Sequence, residues 1–264
     1  MDLELKEKVA VITGGSEGIG YAVARAFARE GAHTLICARN PDALKKAAEA
    51  VRADFQRKCV AVEADVTLPE HIEKICSVAE RELGGVDFLI NNAGTGTNET
   101  IMEAGDEKWQ AFWDLHVMAA VRLARGLVPS MKRRGGGVIL NNASICATQP
   151  LGYEPIYNVT KAALVMLSKC MANEFIPDNI RVNAVNPGLI LTKDWVKSAS
   201  ALGAKEGISA EAYLDRIAKE NAPIGRFATP EELADFFVFL CSPRASYSVG
   251  SSYYVDGGWL RTIA

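Results

Sequence analysis

The chain has 264 residues, of which 49% are hydrophobic and 23% are charged, and these proportions exclude a disordered chain, a collagen-like fibre and a coiled coil. Lys and Arg number 29 against 32 Asp and Glu, for a formal net charge of −3, so the basic excess typical of nucleic-acid binders and membrane-surface binders is missing. The longest apolar stretch, 233–241, contains Asp235 and is far shorter than the ~20 residues that cross a bilayer. With no signal-peptide pattern in its first residues, we expect a cytoplasmic globular protein with no nucleic-acid or membrane partner.

The six cysteines and three histidines are scattered along the chain. They form no CxxC pair, and no Cys lies near a His at metal-ligand spacing, so we expect no metal site. A chain of this length can bury an adequate core without crosslinks. We therefore interpret the cysteines as small core side chains in a reducing compartment.

Short apolar runs alternate with longer segments whose apolar residues have helical spacing. The predicted strands are 9–13, 34–37, 59–63, 88–91, 138–141, 181–185 and 252–255, and the predicted helices are 19–30, 41–55, 69–83, 106–133, 155–175 and 230–240. This alternation predicts one doubly wound, Rossmann-type α/β domain over residues 1–264, with a parallel sheet of about seven strands and helices on both faces. Residues 189–222, rich in Ser, Ala, Gly and Lys, are expected to form a variable substrate-binding loop or lid.

The first predicted strand ends in a glycine-rich turn that reads Thr13-Gly14-Gly15-Ser16-Glu17-Gly18-Ile19-Gly20. Glycines let the backbone turn tightly after a strand and approach a pyrophosphate, which rests on the N-terminus of the next helix. Many strand-to-helix turns need a glycine, and the spacing here is GxxxGxG rather than GxGxxG. The position after the first strand nevertheless predicts a dinucleotide site.

The end of the second strand indicates which dinucleotide binds. Ala38 stands where an NAD-specific protein offers a carboxylate to the ribose 2′-hydroxyl, and Arg39 follows it. Arg39 would pair with a 2′-phosphate, and Ser16 could add a hydroxyl to the same group. The alternative is an ordinary surface arginine. The sequence favours NADP(H).

Two further strands end in polar residues. Asp65-Val66 follows the third strand, and Asp65 could accept a hydrogen bond from an adenine amino group or cap the next helix. Asn91-Asn92-Ala93-Gly94 ends the fourth strand. Its asparagines could bond the backbone at the strand end, and Gly94 would permit a nucleotide to approach.

The reacting groups are expected after the fifth strand. Ser144 ends that strand, and Tyr157 and Lys161 follow at i and i+4, which places them on one face of a helix. A YxxxK pair can arise by chance as a surface Tyr with a solvated Lys, so its position near the sheet edge carries the argument. An ammonium near the phenol, with a cationic nicotinamide ring, would bring Tyr157 into the range of acid–base catalysis. Ser144 would orient the substrate oxygen.

These motifs together resemble the short-chain dehydrogenase/reductase family in its compact single-domain branch. The turn, DV, NNAG, Ser, YxxxK and Asn186-Pro187-Gly188-Leu189-Ile190-Leu191-Thr192 occur in family order, and the match covers essentially the whole chain. The resemblance implies an NADP(H)-dependent enzyme that interconverts a carbonyl and a secondary alcohol, with Tyr157 as acid/base, Lys161 on the nicotinamide ribose and Ser144 on the substrate. It also implies cofactor contacts from Asn92, Ile190 and Thr192, and a homotetramer that pairs helices 106–133 and 155–175.

One position departs from the family pattern. The family usually has an Asn in the fourth helix that holds a water of the proton relay, and His116 stands in its place. A neutral imidazole can donate and accept, so His116 could hold the same water or could simply fill the space. We treat His116 as a candidate catalytic residue that gives proton release a His-linked pH dependence.

The substrate pocket is expected from the segment after Ser144 and from residues 189–222. Its candidate residues are mostly apolar, which suits a neutral ketone, a secondary alcohol or a β-ketoacyl group, although each could equally be simple packing: Thr95, Gly96, Cys146, Thr148, Leu151, Tyr153, Thr192 and Trp195. Two other functions remain open. A redox sensor that binds NADP(H) without turnover would not need Ser144, Tyr157 and Lys161 together, and an isomerase or dehydratase on the same fold would not consume NADPH.

Overall fold

The sheet predicted from the apolar runs is present and fully parallel. In this computed structural model, which describes residues 1–152 and 154–262, seven strands pair in the order β3-β2-β1-β4-β5-β6-β7. The strands are β1 Val9–Thr13, β2 His33–Ala38, β3 Cys59–Glu63, β4 Phe88–Asn91, β5 Gly137–Asn142, β6 Ile180–Pro187 and β7 Ser252–Val255. The order reverses between β1 and β4, and ligands of such sheets bind beside the carboxyl ends of the strands at this point.

Helices cover both faces of the sheet, which confirms the predicted doubly wound class. They are α1 Gly18–Arg29, α2 Pro41–Phe55, α3 Pro69–Leu83, α4 Asp106–Trp113, α5 Ala119–Arg133, α6 Pro155–Phe175, α7 Lys193–Glu206, α8 Ala210–Asn221 and α9 Pro230–Cys241. Apolar side chains of α1, α2 and α9 form the core on one face, and those of α3, α5 and α6 form the core on the other. Within the described ranges, no helix is long and apolar enough to cross a membrane.

Two segments differ from the prediction. The predicted helix 106–133 is interrupted by a π-helical segment, Asp114–Met118, which joins α4 to α5. Residues 189–222 form α7 and α8 instead of an irregular loop. Only Ala199 and Gly203 are buried in α7 and only Ala218 in α8, so these helices lack the broad apolar stripe by which a sequence reveals a helix.

The cysteines are all free thiols. The interpretation as core side chains is confirmed for Cys37, Cys59, Cys146 and Cys241, which are buried. It is wrong for Cys170, which is exposed on α6.

Candidate active site

The carboxyl ends of β1, β4 and β5 are tied together by side-chain hydrogen bonds. The hydroxyl of Thr13 accepts from the backbone N–H groups of Asn92 and Ala93, both at 2.9 Å. The amide of Asn92 donates to the Thr13 carbonyl at 2.9 Å and accepts from the amide of Asn142, also at 2.9 Å. The side chain of Asn92, a predicted cofactor residue, is thus committed to the scaffold. These bonds hold the glycine turn against the sheet.

The glycine turn is shaped for close approach of an anion. Gly14 has a left-handed φ of +66°, and a Cβ at Gly15 would lie 2.6 Å from the Cβ of Ile36, so neither position tolerates a side chain. Glu17 precedes α1 but makes no side-chain cap, which leaves the first N–H groups of that helix available to a pyrophosphate. A Cβ at Gly18 would have Thr192 Cγ2 as its nearest neighbour, at 3.6 Å. The residues therefore fit a dinucleotide.

The residues predicted to bind the cofactor at the glycine turn and before α7 differ in how deeply they are buried. Ser16 is partly buried and Gly20 is buried, whereas Glu17 is exposed. Ile19 packs against the core of the α1 face. Thr192 immediately precedes α7, so the glycine turn and the start of α7 lie side by side. Ile190 is buried and pairs with Ala228 in an isolated bridge.

Arg39 is exposed just beyond the end of β2. Among the described residues it makes no side-chain hydrogen bond, and its positive charge helps to lower the pKa of Asp65. Burial opposes that shift, but the two hydrogen bonds from Thr67 to the Asp65 carboxylate, at 2.9 and 2.8 Å, outweigh it. Asp65 thus shapes the turn before α3, and Leu68 rather than Asp65 is the N-cap residue of that helix. Val66 is a core side chain.

The three predicted reacting groups are brought together at the ends of β5 and α6. The Ser144 hydroxyl accepts from the backbone N–H of Cys146 at 3.2 Å, which leaves its own proton free to donate. The Ser144 hydroxyl is close enough to the Tyr157 phenol to lower its pKa. The Lys161 ammonium sits 5.4 Å from the centre of the Tyr157 ring and donates to the Asn142 carbonyl at 2.7 Å.

The protonation states differ from the simple expectation for a Tyr–Lys pair. Burial raises the pKa of Tyr157 above its ordinary value, and the hydrogen bond with Ser144 opposes this only in part. Burial also lowers the pKa of Lys161 from 10.5 to about 8. The protein alone therefore keeps Tyr157 as a protonated phenol, which suits a proton donor to a carbonyl oxygen.

His116 lies in the π-helical segment and is buried beside Lys161. Its Nδ1 is 2.8 Å from the hydroxyl of Thr160, which donates its own proton to the Ile156 carbonyl at 2.9 Å. When the Thr160 hydroxyl donates to this carbonyl, His116 Nδ1 carries the hydrogen and Nε2 keeps the lone pair. Nε2 is buried without a partner among the described residues. A Cβ at Gly94 would lie 3.1 Å from Nε2 and 3.5 Å from Lys161 Nζ, so only glycine fits there.

The expected His-linked pH dependence needs correction. Burial and the neighbouring Lys161 ammonium lower the pKa of His116 to about 2. The imidazole is therefore neutral throughout the working pH range. Its geometry supports a fixed acceptor beside Lys161 and not a group that titrates during turnover.

Glu154 is a site residue that the sequence analysis missed. It stands just before α6 and makes no capping bond to that helix. Burial raises the pKa of its carboxyl from 4.5 to about 7, and its charge bears on both Tyr157 and Cys146. A Cβ at Gly96 would lie 3.0 Å from Glu154 Oε1, so the carboxyl faces the opposite rim of the cleft. The only sequence signal is an acidic residue three positions before Tyr157.

Three of the predicted pocket residues, Cys146, Leu151 and Trp195, belong to a small apolar cluster next to Tyr157. Its buried members are Ile145, Cys146, Leu189, Trp259, Ala218 of α8 and Ala222 just after α8, and Leu151 and Trp195 pack against it. Trp195 stacks edge-on against Phe227 with ring centres 5.2 Å apart. Tyr153, also predicted to line the pocket, lies outside the described residues.

Comparison with known proteins agrees with this geometry. Residues 14–260 match the family described as enoyl-(acyl carrier protein) reductase. Dehydrogenase/reductase SDR family member 4 of Oryctolagus cuniculus is 35% identical over 96% of this chain and 94% of its own length. The uncharacterized oxidoreductase YvrD of Bacillus subtilis is 34% identical over 100% of both chains. The crystal structure of L-sorbose reductase from Gluconobacter frateurii, complexed with NADPH and L-sorbose, is 60% identical, with a TM-score of 0.98 over 100% of both chains.

Proposed function

The chain belongs to the short-chain dehydrogenase/reductase family and is an NADP(H)-dependent oxidoreductase of the kind that interconverts carbonyl and alcohol groups; from this premise we propose that it reduces a neutral polyhydroxy ketone, with Tyr157 as the proton donor. The observation that carries the proposal is the cleft in which Ser144, Tyr157 and Lys161 lie together, with the carboxyl of Glu154 close enough to act on Tyr157. A redox sensor without turnover would have no use for this arrangement.

The proton chemistry follows from the surroundings of each side chain. NADPH supplies the hydride when it is bound. Ser144 donates a hydrogen bond to the ketone oxygen and holds that oxygen near the phenol. Its hydroxyl proton is free to do so, because the hydroxyl only accepts in its bond with the N–H of Cys146. Tyr157 then donates its proton to the same oxygen as negative charge develops there. The Lys161 ammonium, anchored on Asn142, stabilises the phenolate that remains. His116 Nε2, which has no partner among the described residues, lies beside Lys161 and is available to accept a hydrogen bond.

The nucleotide is proposed to lie across the carboxyl ends of β1, β2 and β4. The N–H groups at the start of α1 would bind the pyrophosphate, and Arg39 with Ser16 would bind the 2′-phosphate. Asp65 and Val66 are proposed to flank the adenine. The backbone of residues 92–94 would contact the ribose, and Ile190 and Thr192 would meet the nicotinamide end. The partner-free guanidinium of Arg39, within the described ranges, supports this placement.

The substrate class is argued from Glu154. A partly buried carboxyl such as that of Glu154 is costly to ionise unless a ligand donates hydrogen bonds to it. Vicinal hydroxyl groups of a sugar ketone are such donors, whereas a β-ketoacyl chain offers none at that end. The 60% identical relative was crystallised with L-sorbose, and this supports a ketose over an apolar ketone.

The helices α7 and α8 are proposed to act as the substrate lid expected for residues 189–222. The lid meets the glycine turn through an ion pair between Lys193 and Glu17 at 3.4 Å, in which both side chains are largely exposed. An exposed pair of this kind contributes at most about 1 kcal/mol. The pair is therefore weak enough to break each time the nucleotide enters or leaves.

A homotetramer is proposed from two apolar faces. The first face contains three exposed apolar residues. Trp113, the last residue of α4, is 40% exposed, and Val159 and Met166 on α6 are 49% and 65% exposed. At the other end of the molecule, β7 is the edge strand, and Tyr247 near it is fully exposed. Two different self-complementary faces are what a tetramer with three twofold axes requires.

The test is NADPH oxidation with a panel of ketones in the wild type and in Tyr157→Phe. We expect L-sorbose or a related ketose to be reduced, and we expect Tyr157→Phe to lose at least about a hundredfold in kcat, since general acid catalysis contributes about 10²–10⁴. Tyr247→Phe, which removes an exposed phenol, is the matched control. Rearrangement of a sugar without NADPH consumption would support the isomerase instead. Reduction of apolar ketones alone would overturn the substrate class.

A further inference from the structure

A short segment after β7 closes one side of the substrate cleft. We call residues 256–261 the strap, and we call residues 145–152, which follow Ser144, the substrate loop. The strap begins as a built turn, because the Asp256 carboxylate accepts from the backbone N–H groups of Gly258 and Leu260 at 3.1 and 2.6 Å. Gly257 and Gly258 both have left-handed φ values, +63° and +86°. The turn thus has a defined shape of its own.

The strap is joined to the substrate loop by the side chain of Gln149. The amide oxygen of Gln149 accepts from the backbone N–H of Arg261 at 3.0 Å, and its nitrogen donates to the Trp259 carbonyl at 3.4 Å. One side-chain amide thereby satisfies a donor and an acceptor of the same backbone segment, as a neighbouring strand would. A third bond joins Thr148 of the loop to the Tyr254 hydroxyl of β7, at 2.6 Å.

The strap also reaches the opposite wall of the cleft. The carbonyl of Gly257 accepts from the backbone N–H of Ile224, just beyond α8, at 3.1 Å. The indole of Trp259, 7% exposed, packs in the cluster that holds Cys146 of the loop and Ala222 at the end of α8. The strap therefore connects the two walls between which the substrate must fit.

We propose that Gln149 and Trp259 are positioning residues that hold the substrate loop in its binding-competent conformation and so set the affinity for the ketone. The inference rests on the proposed function, because it takes the cleft beside Ser144 and Tyr157 as the substrate site. Gln149 acts through the loop and not on the reacting atoms. When only a fraction of the molecules has the loop in place, the apparent affinity equals the intrinsic affinity multiplied by that fraction.

The substrate loop has a second anchor, at Leu151, and the position of this anchor shows what the Gln149 side chain adds. The amide of Asn158 on α6 accepts from the Leu151 N–H at 3.3 Å and donates to the Leu151 carbonyl at 2.7 Å. The loop is thus pinned at Leu151 by α6 and at Gln149 by the strap. Without the Gln149 bonds, the span that contains Cys146 keeps only its anchor at Leu151 and the single Thr148–Tyr254 bond.

The experiment compares Gln149→Ala, Gln149→Glu and Gln110→Ala in the full chain. Gln110 is the matched control, since its exposed amide on α4 bonds Asp114 and lies outside the cleft. With L-sorbose as the probe, we expect KM to rise roughly 5- to 30-fold in Gln149→Ala, from the loss of two neutral hydrogen bonds. Gln149→Glu should behave similarly, because a carboxylate cannot donate to the Trp259 carbonyl. The NADPH Kd should stay within about twofold, because the glycine turn does not depend on the loop.

A second readout needs no substrate. Hydrogen exchange of the 145–152 amides, measured with NADPH added, should accelerate in both Gln149 variants and not in Gln110→Ala. Wild-type KM and wild-type exchange in Gln149→Ala would overturn the proposal, and so would a wild-type Gln149→Glu, which would indicate that the side chain only fills space. If no ketone is reduced, the proposed function fails, while faster exchange still supports the strap as the loop anchor.

Discussion

Replacing Glu154 by Gln should stabilise the unliganded protein at alkaline pH and weaken substrate binding. Burial raises the pKa of Glu154 from 4.5 to about 7, so the folded protein binds this proton more tightly than the unfolded chain does. One unit of pKa corresponds to about 1.4 kcal/mol. Ionising the carboxyl in the fold therefore costs about 3 kcal/mol, as an upper value because the side chain is partly solvated.

The sign of the pH dependence follows from linkage. Between pH 4.5 and about 7, the folded state holds the proton and the unfolded state does not, so the free energy of unfolding falls as the pH rises. Gln carries no proton to lose. We therefore expect Glu154→Gln to match the wild type near pH 5 and to raise Tm by roughly 4–8 °C near pH 8.5.

The assay is thermal unfolding of the variant and the wild type at both pH values, with KM for L-sorbose measured alongside. Removing a charged acceptor from a bound hydroxyl should raise KM by about 10- to 150-fold. Glu107→Gln, an exposed carboxylate on α4, controls for the loss of one negative charge. The reasoning is refuted if the difference in Tm is the same at pH 5 and pH 8.5.

Further predictions concern the other side chains of the site. Arg39→Ala should raise KM for NADPH by about 10- to 150-fold and leave KM for NADH nearly unchanged, since only the charge-assisted bond to the 2′-phosphate is lost; equal effects on both nucleotides would contradict it. His116→Asn should lower kcat without moving the pH–rate profile, because the pKa of His116 is about 2 and it is Lys161, with a pKa of about 8, that titrates in the working range; a displaced alkaline limb in kcat/KM would count against this. Thr13→Val leaves two partly buried N–H groups without an acceptor and should cost about 2–4 kcal/mol, measured by urea unfolding, with Thr100→Val as the exposed control. Met166→Glu should convert the proposed tetramer to smaller species in sedimentation analysis, and an unchanged mass would exclude α6 from the proposed interface.

A protonated Tyr157 also bears on the reaction direction. A buried neutral phenol is ready to donate to a carbonyl, whereas alcohol oxidation first requires the phenolate. Lys161 alone does not produce that phenolate, since burial keeps the pKa of Tyr157 high. The oxidised, cationic nucleotide is then the additional charge that the oxidative direction needs.

Much of the fold was predictable because its signals are local. Apolar runs buried on both faces, such as Val9–Thr13, leave no choice but a parallel sheet with helices on each side. α2, α3 and α6 begin where the sequence predicts, because each has a proline in its first turn. α7 and α8 were missed because their apolar faces are too narrow to give a periodic signal.

Some features of the candidate site could also be predicted from the sequence, and others could not. The glycine turn, Ser144, Tyr157 and Lys161 are visible in the sequence because backbone conformation and the i, i+4 spacing restrict which residues can stand there. Electrostatics are not visible, since a pKa depends on how many groups from distant segments surround a side chain. Glu154 next to Gly96, the neutral His116 beside Lys161 and the Gln149 bonds to residues 259–261 all join segments far apart in sequence. The sequence by itself determined the reaction class; only the packing of those segments decided the protonation states and the shape of the substrate cleft.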